Sequence, residues 1–367
     1  MSIFNKIFKS SNSPKKDVKT IKDFWEWFVQ EEARFYKAIQ QGDRIEEDFF
    51  IFLSEKLAKL NERIFFLVGM EKKTKIAELI LTPDAVVKNI AFIEDLIAAA
   101  PNLPNWKFTA LKQASDIDSF EIRMGDMLYN KENINFYPIE HSAYPDQIDL
   151  VMVYDHYDEN RHHEIYNGVC IYLDNVLGEY KSITMIDNLS VCGPATDLPE
   201  LISIDKLEAY LTWREKEFVE RYHDVRHNSA EDSFASFEGS VDDGTPLYAI
   251  VNNSILHWDY KASHPWILLV MVHYQPRPED GFPSQEEYER LEQLENDLME
   301  KLPEEDGYIL VVRETGNGLR EVSFACHEFR KPSRVMDAIT RKYAQQFQIE
   351  YDIFKDKYWR TFEKFAE

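Results

Sequence analysis

The densest run of titratable side chains is Asp155-His156-Tyr157-Asp158-Glu159-Asn160-Arg161-His162-His163-Glu164. Imidazoles and carboxylates at this density could bind a divalent transition metal. A zinc-protease helix needs two histidines one turn apart with a glutamate base. Here His163-Glu164-Ile165-Tyr166 is followed by Asn167, where the second ligand should stand. The plainer reading is a polar loop that caps the next helix, so no metal ligand is assigned. Pro145-Asp146 and Glu179-Tyr180-Lys181 carry the residue types of a PD…ExK nuclease, in which two carboxylates hold magnesium and a lysine orients water. That chemistry wants the groups on neighbouring strands, and a strand and a helix intervene. Gly316 and Gly318 lack a third glycine and precede a strand, which excludes a dinucleotide fingerprint. No Walker A sequence and no GxSxG elbow occurs. Cys326 and His327 are adjacent, so on a strand their side chains diverge. An enzymatic reading is left with Asp155, His156 and Arg320, acting on a small polar molecule in a cleft between domains. No cofactor is expected.

Aromatic residues are the one surplus. Trp258, Tyr260, Trp266 and Tyr274 cluster in what read as early strands of the C-terminal region. Trp258 and Tyr260 are two apart, so on a strand they share a face. Trp and Tyr dominate interface hot spots, and Arg313 and Arg320 flank a hairpin where they could anchor an acidic group. The candidate partner-binding set is therefore Trp258, Trp266, Arg313, Thr315 and Arg320. The competing reading packs the aromatics under helices and pairs the arginines across strands.

With 42 basic and 66 acidic residues the net charge is −24. Such a chain repels phosphate backbones, which argues against direct nucleic-acid binding and leaves a protein as the expected partner. The three cysteines, Cys170, Cys192 and Cys326, are far apart and form no CxxC pair. That pattern fits free thiols in a reducing cytoplasm. No apolar run is long enough to span a bilayer. Residues 1–20 are basic, with Lys6, Lys9, Lys15, Lys16 and Lys19 against Asp17. They read as a flexible tail, or as a weak contact to an anionic membrane surface. Oligomeric state is not specified by any of these features.

The elements that must position these residues follow from periodicity. Ile21 to Gln41 reads as an amphipathic helix ended by Gly42, with Trp27 alone of its aromatic run off the apolar stripe. Asp43 caps a second helix, with Glu46 three residues on, so the two make an αα-hairpin. Strands at 64–70 and 75–81, a helix started by Thr82-Pro83, and a strand at 106–111 follow. Shorter strands near 120–124, 133–137 and 148–154, a helix at 163–177 and a strand at 183–189 complete this region. A charged helix spans 204–223. Residues 224–245 are rich in Ser, Asp, Glu, Asn and Gly and read as a linker. Beyond it come a hairpin of strands 246–251 and 255–260 and a central apolar strand, 266–274. A helix opened by Ser284 and Glu287 leads to two strands joined at Asn317-Gly318. A helix through Val335 and Tyr343, a strand at 349–353 and a terminal helix, 355–365, close the chain.

From Trp266 to Phe354 the order is strand, helix, strand, strand, helix, strand, the order of a ferredoxin-like sandwich. A looser copy with an extra hairpin runs from Lys75 to Leu189. The expected fold is α+β with two ferredoxin-like domains, residues 21–223 including the αα-hairpin and residues 246–367. The pairs Asp243-Gly244-Thr245-Pro246 and Asp280-Gly281-Phe282-Pro283, with the hairpin Thr315-Gly316-Asn317-Gly318-Leu319-Arg320-Glu321, resemble a bacterial family catalogued as domain of unknown function 695. The resemblance begins near Asp243 and implies architecture. The pattern is similar, more distantly, to small ferredoxin-like inhibitors of ribonuclease E, which implies a protein-binding regulator. The expectation is a cytoplasmic, non-enzymatic, protein-binding or regulatory module, with the enzyme of the interdomain cleft as its alternative.

Overall fold

A computed structural model describes residues 18–240 and 244–366. The protein is a mixed α/β structure whose Cα neighbourhoods separate two units. One is the described part of Met1–Asp84 with Ile93–Ala110; the other is Ala85–Phe92 with the described part of Leu111–Glu367. The basic tail lies outside the described residues as far as position 17, as does Asp243.

In the first unit, α1 (Ile21–Gln41) starts at a reciprocal cap. The Thr20 hydroxyl accepts from the Asp23 amide, and the Asp23 carboxylate accepts from the Thr20 amide. Thr20, counted with the tail from sequence, is thus part of the helix start. Gly42 ends α1 in the left-handed region, at φ 72°. A π-helical turn, Glu46–Phe50, runs into α2 (Ile51–Leu60), and its N-cap, Ile45, makes no side-chain cap bond. The expected Asp43 cap is not where this helix begins. Phe24, Trp25, Trp27 and Phe28 are all buried. Trp27 is no exception to the stripe: its ring meets Phe35 edge-on at 5.4 Å and lies beneath Lys56. The helices cover a sheet of order β1-β2-β3 (Phe65–Met70, Ala77–Thr82, Trp106–Ala110), in which β2 and β3 are parallel. Thr82 does not cap the next helix. It ends β2, its hydroxyl accepts from the Asp84 amide, and α3 (Ile90–Ala98) begins later, after a 3-10 turn. The boundary between the units passes through α3.

The second unit opens with a hairpin, β4 (Ile122–Met124) and β5 (Met127–Tyr129). Next come β6 (Ile134–Ile139), β7 (Asp149–Tyr154), α4 (His162–Val176), α5 (Glu179–Met185), β8 (Asn188–Cys192), β9 (Ile202–Ser203) and α6 (Leu207–Tyr222). Residues 183–185, expected in a strand, finish α5 instead. The sheet order is β8-β7-β6-β9, with β7 and β8 parallel and every residue of β7 buried. A glycine inside α4 has a packing reason: a Cβ at Gly168 would fall 2.1 Å from the Tyr129 ring. The looser copy of the strand–helix order therefore does not make one ferredoxin-like sheet. Its strands are distributed over separate sheets of three, two and four strands. Alternation identified the strands, but it carries no information about which strand each one pairs with.

The remaining strands form one antiparallel sheet of order β10-β11-β13-β14-β12-β15. They are β10 (Phe234–Ser240), β11 (Pro246–Asn252), β12 (Trp266–His273), β13 (Tyr308–Gly316), β14 (Leu319–Cys326) and β15 (Gln348–Lys355). Strand β10 lies within the expected linker. Its alternating Phe234, Ser236 and Glu238 read as polar composition because only one side of this edge strand packs. The second strand of the expected 246–260 hairpin is absent. Asn252 accepts from the Ile255 amide and opens a short helical turn, α7 (Asn253–Leu256). Asn317 and Gly318 have φ of 48° and 77°, the left-handed pair of a tight hairpin turn. Ser284 caps α8 (Gln285–Lys301), but Glu287 reaches the Gln275 amide, so the cap is not reciprocal.

Helices α8 and α9 (Arg330–Tyr343) cover one face, where Leu291, Leu298, Met336 and Ile339 meet Leu268, Val270 and Phe324. The other face is covered by α7 and a terminal 3-10 helix, Arg360–Phe365, through Ile255, Trp359, Phe362 and Phe365. The expected terminal α-helix is a strand end followed by this 3-10 segment. Inside the helix-side core Glu295 is 2 % exposed. Arg320 donates to it at 2.8 Å and Arg313 pairs with its other oxygen. Replacing Glu295 by Gln leaves Arg320 buried without its counter-charge. We expect a loss of about 3–5 kcal/mol in urea denaturation; a change within about 0.5 kcal/mol would mean that water already compensates this charge.

His264 gives a second prediction. It is fully buried, its Nδ1 pairs with Ser263 Oγ at 2.7 Å, and Trp258 lies beside it at 5.5 Å. Burial, and then the positive charges of His327, Arg226 and His227, push its pKa down to about 3. Below its ordinary pKa of 6.5 the unfolded chain takes up a proton that the folded protein refuses. Stability from this group is therefore present above about pH 6.5 and is lost as pH falls toward about 3. At about pH 5 the loss is roughly 2 kcal/mol. Denaturation at about pH 7 and pH 5 should show that difference shrink in His264→Gln; equal differences in both proteins would refute the assignment.

Candidate functional site

Strands β7 and β8 run parallel, and their first residues, Asp149 and Asn188, stand opposite each other. The residues just before them, Ile148 and Asp187, therefore lie side by side, and the Asp187 amide donates to the Ile148 carbonyl at 2.8 Å. This edge faces the chain after β15, where Asp356 makes a turn by accepting from the Arg360 and Thr361 amides. Lys355, Lys357, Arg360 and Thr361 line an open cleft of about 220 Å³ together with Gln147, Asp187 and Asn188.

Asp187 is the centre of this site. Its Oδ2 accepts from the Ile148 amide at 2.7 Å and from Lys357 Nζ at 2.7 Å, and its Oδ1 lies 2.7 Å from Lys355 Nζ. Burial pushes the Asp187 carboxyl up, but the ammonium groups of Lys355 and Lys357 outweigh it and hold the pKa below the usual value. Lys357 is 6 % exposed, and its Nζ also donates to the Asp146 carbonyl at 2.6 Å. Burial, and then the charge of Lys355, bring its pKa down to about 8, against the pull of Asp187. One carboxylate thus serves two ammonium groups.

The walls are held by further hydrogen bonds. Asp149 accepts from Gln147 Nε2 at 2.8 and 2.9 Å, from Asn188 Nδ2 at 2.8 Å, and pairs with His141 Nε2 at 2.8 Å. Arg360 makes a long bond, 3.4 Å, to Gln147 Oε1 and lies over the Tyr144 ring. Behind Lys357, Asp146 holds Arg221 at 2.7 Å, Tyr222 at 2.6 Å and Tyr358 at 3.1 Å. Chemically, the arrangement offers cationic side chains and the Asn188 amide to a small anion.

The residues singled out from sequence lie elsewhere. Asp155 and His156 follow the far end of β7 and are exposed. In the same run Arg161 grips Asp126 and Glu164, Asp158 caps a 3-10 turn, and Tyr157 bonds His162. Among the described residues no group of three or more His, Cys, Asp or Glu side chains is placed to hold a metal ion. Asp146, Glu179 and Lys181 do not converge: Glu179 accepts from the Lys112 amide and Lys181 pairs with Glu208. Arg313, Thr315 and Arg320 do come together, but around Glu295 beneath α8, where Tyr288 covers Arg320. Trp266 packs in that core on Phe329. Trp258 and Tyr260 are on no strand: Trp258 is half-buried among His227, His264 and Trp359 on the opposite face of the sheet. Sequence reasoning missed Asp187, Lys355 and Lys357. Their spacing has no motif, and Lys355-Asp356-Lys357 read as the start of a terminal helix.

Replacing Asp187 by Asn removes the counter-charge of two lysines at once. We expect a loss of about 3–5 kcal/mol by urea denaturation. Retained stability would show that the lysines turn out to water and that the cleft is not held by this carboxylate.

The C-terminal sheet is also where the likeness to known proteins lies. No curated protein matches this chain, and no solved structure does. The expected likeness to ribonuclease E inhibitors is therefore not shown. Residues 237–366, from within β10 to the 3-10 segment behind the cleft, match a family of unknown function, DUF695.

Proposed function

We propose that this protein is a non-enzymatic binding module for a small anionic molecule, a carboxylate or a phosphate, held in the cleft around Lys355, Lys357 and Arg360. The observation that carries this reading is the imbalance at Asp187: the buried ammonium of Lys357 and the half-buried ammonium of Lys355 share one carboxylate in a chain of net charge −24. The cleft lining sets Lys355, Lys357 and Arg360 against Asp187 and Asp356, a surplus of one positive charge that favours an anionic ligand. Burial, and then the neighbouring charge of Lys355, depress the pKa of Lys357. Asn188, pinned by Asp149 through one of its two amide hydrogens, adds an oriented amide donor.

A protein partner as the primary ligand has less support. Of the five side chains expected to meet it, Trp266, Thr315 and Arg320 are buried, and Trp258 and Arg313 are half-buried. The order β13-β14-β12-β15, with a helix after β12 and another after β14, supports reading this region as a ferredoxin-like sandwich widened by β10 and β11. Unpaired thiols at Cys170, Cys192 and Cys326 agree with a cytoplasmic location. Among the described residues no helix is long and apolar enough to cross a membrane.

The reading fixes a pH dependence. An anion is favoured by protonated Lys357, so affinity should fall as pH rises through about 8. Calorimetric titration with lactate and with inorganic phosphate should show roughly tenfold weaker binding at about pH 9.5 than at about pH 7. The Arg360→Ala variant should bind more weakly at both values. Binding that is absent at neutral pH, or unchanged across this range, would reject the cleft as an anion site.

A further inference from the structure

Resting on the anion-binding reading of the cleft, we propose that Lys357 captures ligands bearing a carbonyl beside the anionic group, 2-oxo acids being the simplest class, as a reversible imine. The argument is first geometric. Lys357 lines the cleft, and its Nζ is fixed by Asp187 Oδ2 at 2.7 Å and the Asp146 carbonyl at 2.6 Å and lies against the Phe218 ring. Lys355 occupies the other oxygen of Asp187, so a second positive charge is held close by. Arg360, on the same wall, is suited to hold a carboxylate by its planar fork. A ligand carboxylate on Arg360 would then present its carbonyl carbon to the lysine.

The chemistry balances without a further reactant. At about pH 8 Lys357 loses its ammonium proton to solvent, and the free amine attacks the carbonyl carbon. The C–N bond forms as the C=O π pair moves to oxygen, which takes up the proton. The nitrogen then passes a second proton to the new hydroxyl, and the C–O bond breaks. The oxygen leaves as water, and the C=N bond remains. Nothing is oxidised or reduced, and hydrolysis reverses every step. Desolvation beside a second cation is a recognised way to keep a lysine nucleophilic. At about pH 8 roughly half of Lys357 is in the amine form, given its pKa of about 8. The carbonyl requirement separates this inference from simple ion binding, because lactate and pyruvate share charge and size and differ at the reacting carbon.

The test treats the full chain with pyruvate and cyanoborohydride at about pH 8, which reduces an imine to a stable amine, followed by peptide mass mapping. Lactate binding is measured on the same preparation by calorimetry. The expected result is a reduced adduct at Lys357, formed roughly tenfold faster than at the exposed Lys22. The adduct should be absent from Lys357→Arg and slower in Lys355→Met, whose Lys357 loses the neighbouring charge. Lactate bound without preferential labelling at Lys357 would overturn the imine and leave the anion site standing. Neither lactate binding nor labelling would overturn both.

Discussion

The second unit is organised around a carboxylate that had to be buried. Asp187 sits between two parallel strand starts on one side and the end of β15 on the other. A lone buried carboxylate would be neutralised or expelled; this one accepts from a backbone amide and from Lys357 and pairs with Lys355, and so stays charged. The cost of desolvating three charges is offset only because the donors are fixed. Ile148 is held by sheet geometry, and the lysines are aimed by the turn that Asp356 caps. Residues about 170 positions apart are thereby brought to one point. The cleft, the depressed pKa of Lys357 and the orientation of its polar walls all follow from that arrangement.

A second buried charge cluster is its structural counterpart. Glu295 between Arg313 and Arg320 has one carboxylate facing two guanidinium groups, the same ratio as at Asp187. The difference is location. The arginine cluster lies under α8 with Tyr288 over Arg320, so its charges are consumed in packing. The lysine cluster opens onto a cleft. The same residue types that suggested a binding surface at the hairpin turn out to be part of the core, and the functional possibility moves to where a similar cluster meets solvent.

The legible parts of the fold were those set by local rules. The αL glycine after α1, the Asn317-Gly318 turn, the apolar run of β12 and the alternation of β15 each fix an element through neighbours close in sequence. Errors arose where the deciding partner is distant. The segment after Asn252 carries strand-forming residues, yet an asparagine cap turns it into a helix packed on the sheet face opposite α8 and α9. Residues 234–240 look like linker but gain a full row of pairings from β11. Trp27 falls off the stripe only when a single helix face is considered without the second helix beside it.

The sequence by itself determined the mixed α/β character, most of the element boundaries and the DUF695 likeness of the C-terminal region, because periodicity, turn residues and short motifs are local quantities. Only the tertiary structure decided which strands share a sheet, which arginines are buried and where polar groups converge. Strand pairing depends on long-range burial, and an ion cluster has no spacing rule when its members come from loops on separate strands. Asp187 and Lys357 are ordinary surface-type residues when read along the chain. Their character comes from being taken out of water together, which is a property of the fold.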